Sequence, residues 1–381
     1  MSYYLKAEKY LLENEEKIGG YLLVEDGRFG SFVSQVQEDA EVIDYSGYTI
    51  APGLFDTHIH GIKGNDIMDG EVEAVQEISN MLVSLGVTRF LPTTLTSSKD
   101  DLDRAIIAIR EAVKEGLPGA QSEGIFLEGP YFTDLHKGAQ NASYFRDPDI
   151  EEFQHWQRLA HGTIKKIAIA PEREGSFEFI QKVSIEGVLV SIAHTDAQYE
   201  CCKEAVDAGA RNYVHLFNGM TGLHHREPGV VGAALMDDRA YAELICDSFH
   251  VHPDVSALAL RIKGDKLQLI TDCMQAGLMP DGNYQLGEFP VVMKDGIAQL
   301  KSGSLAGSTL KLIDGVKNLQ EWSSEPLYKI WHLGSLTPAA SLGMGLYFGS
   351  ISPGKIADYV VLDEQLDIQA TAVAGEIKYI K

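Results

Sequence analysis

His58-Ile59-His60 sets two imidazoles two residues apart. On a strand, residues at i and i+2 point the same way, so both rings can face one cation, or each other as a hydrogen-bonded pair at the mouth of a barrel. Glu128 follows the apolar run 124–127 and precedes Gly129-Pro130. A carboxylate at such a strand end must be solvated, paired or coordinated, because burying it uncompensated is costly. His194 closes the apolar run 190–193, and His215 lies within YVHL at 213–216. Two histidines and one glutamate at three strand ends describe a catalytic metal site with an open position for water, unlike the closed four-ligand sets of structural zinc. Zinc or iron is the expected ion, and cobalt(II) or manganese(II) accept the same donors. Such an ion lowers the pKa of a water toward ~7 and polarises a carbonyl.

Asp272, in ITDCM (270–274), ends the last strand-like run. Beside an activated water it can accept a proton and pass it to a leaving group; in isolation an aspartate there caps a helix. His250, in CDSFHVHP (246–253), is either a hydrogen-bond donor to the substrate carbonyl or a loop histidine. His224, His225 and Arg226 form a basic cluster in a glycine-bordered loop. The guanidinium fork of Arg226 suits a phosphate, and an ordinary surface cluster is the alternative. Asn218-Gly219 can add amide donors. Leu305-Ala306-Gly307-Ser308 precedes a helical stretch at 310–319 and could offer backbone N–H groups at its start.

Texture says what positions these residues. Between about 50 and 343, short β-prone runs at 54–59, 87–91, 124–127, 165–169, 188–193, 212–216, 242–246 and 267–271 alternate with helical patterns such as 72–85 and 102–114. Alternation of this kind predicts a parallel sheet. About eight repeats predict closure into a (β/α)₈ barrel, whose chemistry sits at the C-terminal ends of the strands. His58, His60, Glu128, His194, His215, Asp247, His250 and Asp272 all fall at or just past such ends. The two termini differ: 1–51 and 349–381 are strand-rich and broken by glycine and aspartate, with Asp26-Gly27 as a hairpin signal. They predict a small β-sandwich built from both ends around a catalytic barrel at 52–348.

With 381 residues the chain can bury a large core. A formal net charge of −23 repels phosphate backbones, which argues against nucleic acid and requires a local basic pocket for any anionic substrate. The charged N-terminus lacks the apolar core of a signal peptide, and no apolar run approaches the ~20 residues of a membrane helix. Four cysteines without CxxC spacing fit a reduced, cytoplasmic setting.

The motifs APGLFDTHIHG (51–61), LEGPY (127–131), KGAQN (137–141), AHTDA (193–197), HLFNGM (215–220), REPGVVGAAL (226–235), TDCM (271–274), LAGSTL (305–310) and ISPGKIADYVVLD (351–363) occur in the order found in one family. Over nearly its whole length the chain resembles the N-acetylglucosamine-6-phosphate deacetylases of the amidohydrolase superfamily. The resemblance implies that Glu128, His194 and His215 hold the main metal and that Asp272 is the acid/base. It implies that Ala139, Asn218, Gly219, Arg226, His250, Leu305, Ala306 and Gly307 contact the sugar phosphate. It further implies a homodimer with the phosphate end near the subunit boundary. Some members carry Gln-x-Asn where this chain keeps His58 and His60, which with Asp272 could hold a second ion. Many have His where this chain has Gln140. The expected reaction is deacetylation of N-acetylglucosamine 6-phosphate. Other expectations are an amidohydrolase acting on a cyclic amide or related N-acetyl sugar, and a non-catalytic sugar-phosphate sensor.

Overall fold

The computed structural model describes residues 2–381. Eight parallel strands follow one another around a barrel: Leu54–Ile59, Val87–Thr94, Ile125–Tyr131, Ile164–Ile169, Leu189–Ile192, Asn212–Tyr213, Tyr241–Leu244 and Leu267–Leu269. Each pairs with its predecessor in parallel register. The first and last meet through backbone bonds from Asp272 N to His58 O (2.9 Å) and from His60 N to Cys273 O (2.9 Å). The closing seam therefore brings Asp272 beside both histidines of the first strand.

The predicted strand starts agree with the structure within about two residues, and the ends less well. The sixth strand stops at Tyr213 because His215 turns into the left-handed region (φ 32°), and the last stops before Asp272 (φ 52°). Helices cover the outside, most with one apolar face, while the helix Gly229–Met236 is buried on nearly all sides. In the helix Lys99–Glu115, Leu102, Ala105, Ile106, Ile109 and Ala112 are buried at 3.6-residue spacing, and Ser98 Oγ accepts the Asp101 N–H at its start (3.2 Å). Inside the barrel, Phe55, Leu91, Phe126, Ala168, Ala193 and Val214 fill one apolar layer.

Strands from residues 2–52 and 359–380 form one separate, mostly antiparallel sheet of eight strands. It folds over its own inner face, where Tyr3, Leu5, Val24, Phe29, Tyr359 and Ala372 are buried together, and Arg28 bridges back to Ile356. One further unit was not anticipated: a three-stranded antiparallel sheet at Gly282–Leu286, Phe289–Lys294 and Ile297–Leu300. Its signal was present in the Asp295-Gly296 turn between alternating runs. Leu286, Val291, Met293 and Ala298 pack against Leu95, Ala139, Met274 and Ala306, which seats this sheet over the C-terminal end of the barrel. Among the described residues no helix is long and apolar enough to cross a membrane.

Candidate functional site

Every strand-end residue singled out for metal chemistry comes to one place. Glu128, His194 and His215 form one group of converging donor atoms, and His58, His60 and Asp272 form another. Glu128 joins them. Its Oε1 lies 3.3 Å from His215 Nε2, 3.4 Å from His194 Nε2 and 3.4 Å from His58 Nε2. Its Oε2 lies 3.3 Å from His60 Nε2. Asp272 Oδ1 is 3.3 Å from His58 Nε2 and 3.2 Å from His60 Nε2.

The far sides of the four rings explain why all four Nε2 atoms face inward. His60 Nδ1 meets Thr93 O (3.2 Å), His194 Nδ1 meets His136 O (3.0 Å) and His215 Nδ1 meets Asn218 O (3.0 Å). A carbonyl oxygen only accepts, so Nδ1 carries the hydrogen in each, which leaves the Nε2 lone pair free for a cation. His58 Nδ1 instead meets the carboxylate Oε2 of Glu243 (3.2 Å).

The backbone is bent to serve this arrangement. His194 (φ 43°), His215 (φ 32°) and Asp272 (φ 52°) all sit in the left-handed region, which L-residues enter at a cost of about 1–3 kcal/mol each when packing compels it. Gly219 (φ 61°) is required where it stands, since a Cβ there would lie 2.9 Å from His194 Nδ1.

Electrostatics in the cluster call for positive charge. Burial disfavours charging His60 and His215, yet the carboxylates of Glu128 and Asp272 raise both imidazoles above their usual value. Burial would likewise raise the Glu128 carboxyl, but the surrounding histidines hold it well below the carboxylate range. Asp272 is also lowered, with His58 and His60 outweighing its burial. Two carboxylates and four imidazole nitrogens converging in a buried cluster fit a divalent cation, which replaces the protons at Nε2.

A cavity of about 250 Å³ opens above the cluster. His60, Glu128, His194, His215 and Asp272 form its floor, and Ala139, Gln140, Asn218, Gly219, His250, Leu286, Leu305 and Gly307 its walls. His250 is a positioned group: Asp247 Oδ2 lies 2.6 Å from its Nδ1, and Asp247 Oδ1 accepts the backbone N–H of His250 (2.8 Å). Gln140 is buried, donating to Glu128 Oε2 (2.7 Å) and accepting from Thr96 N (3.0 Å).

Two expected contact residues stand elsewhere. Arg226 is exposed with His224 and His225, touching His225 Nε2 (2.6 Å), and does not line the cavity. Ala306 is fully buried beneath it. The Leu305–Ser308 segment does not open a helix. The helix begins at Leu312, and the Ser308 N–H donates to Asp272 O (2.7 Å), so the segment runs beside the last barrel strand instead.

Sequence reasoning missed the polar chain beneath His58. Glu243 Oε1 pairs with Lys166 Nζ and accepts from Asn212 Nδ2 (2.6 Å). Gln268 donates to Asn212 Oδ1 (2.8 Å), and Ser341 to Gln268 Oε1 (3.2 Å). His58, Lys166, Asn212, Glu243 and Gln268 are all fully buried. Burial opposes charge on both members of the ion pair. Lys166 and His58 nevertheless hold Glu243 down to about 2, while Lys166 stays below the usual lysine value.

The model of the amidohydrolase family matches residues 49–380. The chain is 41% identical to the N-acetylglucosamine-6-phosphate deacetylase of Vibrio furnissii, over 90% of this chain and 86% of that one. It is 38% identical to the N-acetylgalactosamine-6-phosphate deacetylase of Escherichia coli O157:H7, over 99% of each. Among solved structures, a mutant N-acetyl-D-glucosamine-6-phosphate deacetylase from Mycobacterium smegmatis in complex with N-acetyl-D-glucosamine-6-phosphate superposes with a TM-score of 0.93 at 30% identity, covering 99% of both chains.

Proposed function

The chain belongs to the amidohydrolase family, and from that premise we propose that it hydrolyses the acetamide of N-acetylglucosamine 6-phosphate to acetate and glucosamine 6-phosphate. The observation that carries the reading is the convergence of Glu128, His194, His215, Asp272 and His250 on one cavity. Glu128, His194 and His215 hold a divalent ion, zinc or iron, and His58, His60 and Asp272 supply the ligands for a second. Bound there, a divalent ion supplies Lewis acidity toward a water and toward the acetyl carbonyl.

The protein's own groups do the rest. Asp247 accepts the Nδ1–H of His250, and in the doubly protonated imidazolium form of that ring Nε2–H donates to the acetyl oxygen, where negative charge develops. Asp272, kept ionised by its histidine neighbours, accepts the proton of the attacking water. It then delivers that proton to the sugar nitrogen as the C–N bond breaks. Asn218, Gly219, Ala139, Leu305 and Gly307 bind the sugar and its phosphate. Arg226 reaches the phosphate from its exposed loop at the subunit boundary of a homodimer. We assign the enzyme to the cytoplasm.

A second reading has one specific support: the relative that matches over 99% of both chains is named for the galactosamine substrate. The two sugars differ only in configuration at C4, and the ion-binding floor serves both. Acetate release by metal-loaded protein from N-acetylglucosamine 6-phosphate, its galacto epimer and unphosphorylated N-acetylglucosamine decides. The first reading expects the phosphorylated gluco sugar to be used best. A larger kcat/KM on the galacto epimer selects the second, and no acetate from any of the three sinks both.

A further inference from the structure

Three of the four inward-facing histidines rest Nδ1 on a backbone carbonyl; His58 alone rests it on a charged side chain. That carboxylate is shared. One oxygen of Glu243 meets His58 and the other meets Lys166 and Asn212. Lys166 is held in turn by Thr57 O (3.3 Å) and lies over the Phe126 ring (3.8 Å from its centroid). The participants come from the first, fourth, sixth and seventh barrel strands and are fully buried.

A buried ion pair is poor evidence of stabilisation, since apolar residues of similar volume often replace one without loss. This pair also has a directional feature that stability does not require: Glu243 turns one oxygen away from the ammonium, toward an imidazole. A carboxylate behind a ligating histidine fixes the ring's orientation and tautomer and makes its other nitrogen a better donor. His58 Nε2 thereby faces Asp272 and His60 at 3.3 Å each.

We propose that Glu243, anchored by Lys166, is a positioning residue that makes His58 a ligand of the second divalent ion, in the His58–His60–Asp272 group. This rests on the two-ion reading above. It assigns Lys166 and Glu243 a task at one ion and none at the other, because Glu128, His194 and His215 are oriented without them.

The test is metal retention by the full chain. Apo wild type, Glu243→Gln and the double variant Lys166→Met/Glu243→Leu are reloaded with zinc(II) and equilibrated against graded chelator, and bound metal is measured. Melting of each apo protein reports folding independently. Wild type is expected to hold two equivalents. Both variants are expected to keep the first unchanged and release the second at about 10- to 100-fold lower chelator strength. The double variant removes both charges together, so its fold does not depend on an unpaired buried lysine. Retention of both ions by both variants, or parallel loss of both ions, overturns the positioning role. A wild type that takes up one equivalent overturns the two-ion reading and this proposal together.

Discussion

Gln140 donates to Glu128 Oε2 at 2.7 Å, on the opposite side of the carboxylate from the oxygen that faces His194 and His215. Its own carbonyl oxygen is held by Thr96 N. The amide therefore locks the rotation of the one carboxylate common to both donor groups. Gln140→Leu removes that lock at similar volume. Metal affinity is expected to fall about 10- to 100-fold, read by chelator titration of zinc-loaded protein. Unchanged affinity would show that Glu128 needs no help to stay in place.

Asp272→Asn keeps the side chain's shape and removes its capacity to take a proton. With metal content at the Glu128 group matched to wild type, kcat is expected to fall about 10²- to 10⁴-fold. A rate close to wild type removes Asp272 from proton transfer.

Arg226→Ala tests the phosphate contact. Since Arg226 is exposed and outside the cavity of a single chain, its loss should leave folding intact. KM for the phosphorylated sugar is expected to rise, and the preference over the unphosphorylated sugar to shrink about 10- to 100-fold, equivalent to the ~1.5–3 kcal/mol of a charged hydrogen bond. An unchanged preference assigns the phosphate to other groups.

His332 gives a pH prediction away from the ion cluster. It is buried, its Nε2 lacks a hydrogen-bond partner, and burial pushes its pKa from 6.5 down to about 4. Between those values the unfolded chain binds a proton that the folded chain refuses. The contribution is complete above the unfolded pKa and is lost as pH falls through the folded one, by at most about 3 kcal/mol. His332→Gln is expected to flatten the fall in Tm between pH 6.5 and 4.5 relative to wild type. Parallel Tm curves for the two proteins would show that this imidazole does not set the acid limit.

The chemistry-bearing strand ends were legible because an apolar run that stops at His, Glu or Asp breaks the pattern expected of packing. Glu128, His194, His215 and Asp272 announce themselves this way. Glu243 and Lys166 do not: Glu243 sits inside a strand run between apolar neighbours and Lys166 beside a second lysine, Lys165, and in both places a charged side chain looks solvent-facing. Only barrel closure brings position 166 against position 243, and no local period encodes that meeting. Strand limits were misjudged at His215 for a related reason. Its residue type suits a strand, while the left-handed turn that aims its ring depends on partners across the barrel, Glu128 among them. The sheet at 282–300 is signalled by Asp295-Gly296, but it interrupts the βα alternation of the barrel, so neighbouring elements give it no support.

That inserted sheet separates two jobs within one cavity. The ion-binding floor is drawn from barrel strands whose side chains also hold the interior together, so changes there disturb the whole protein. Leu286 reaches the same cavity from a small add-on seated on an apolar seam. Selection can therefore reshape the wall that Leu286 gives this cavity, through the adjoining turn at Gly287, while the hydrolytic apparatus stays put. A change of sugar preference is thus open to this add-on without any change among the metal-binding side chains.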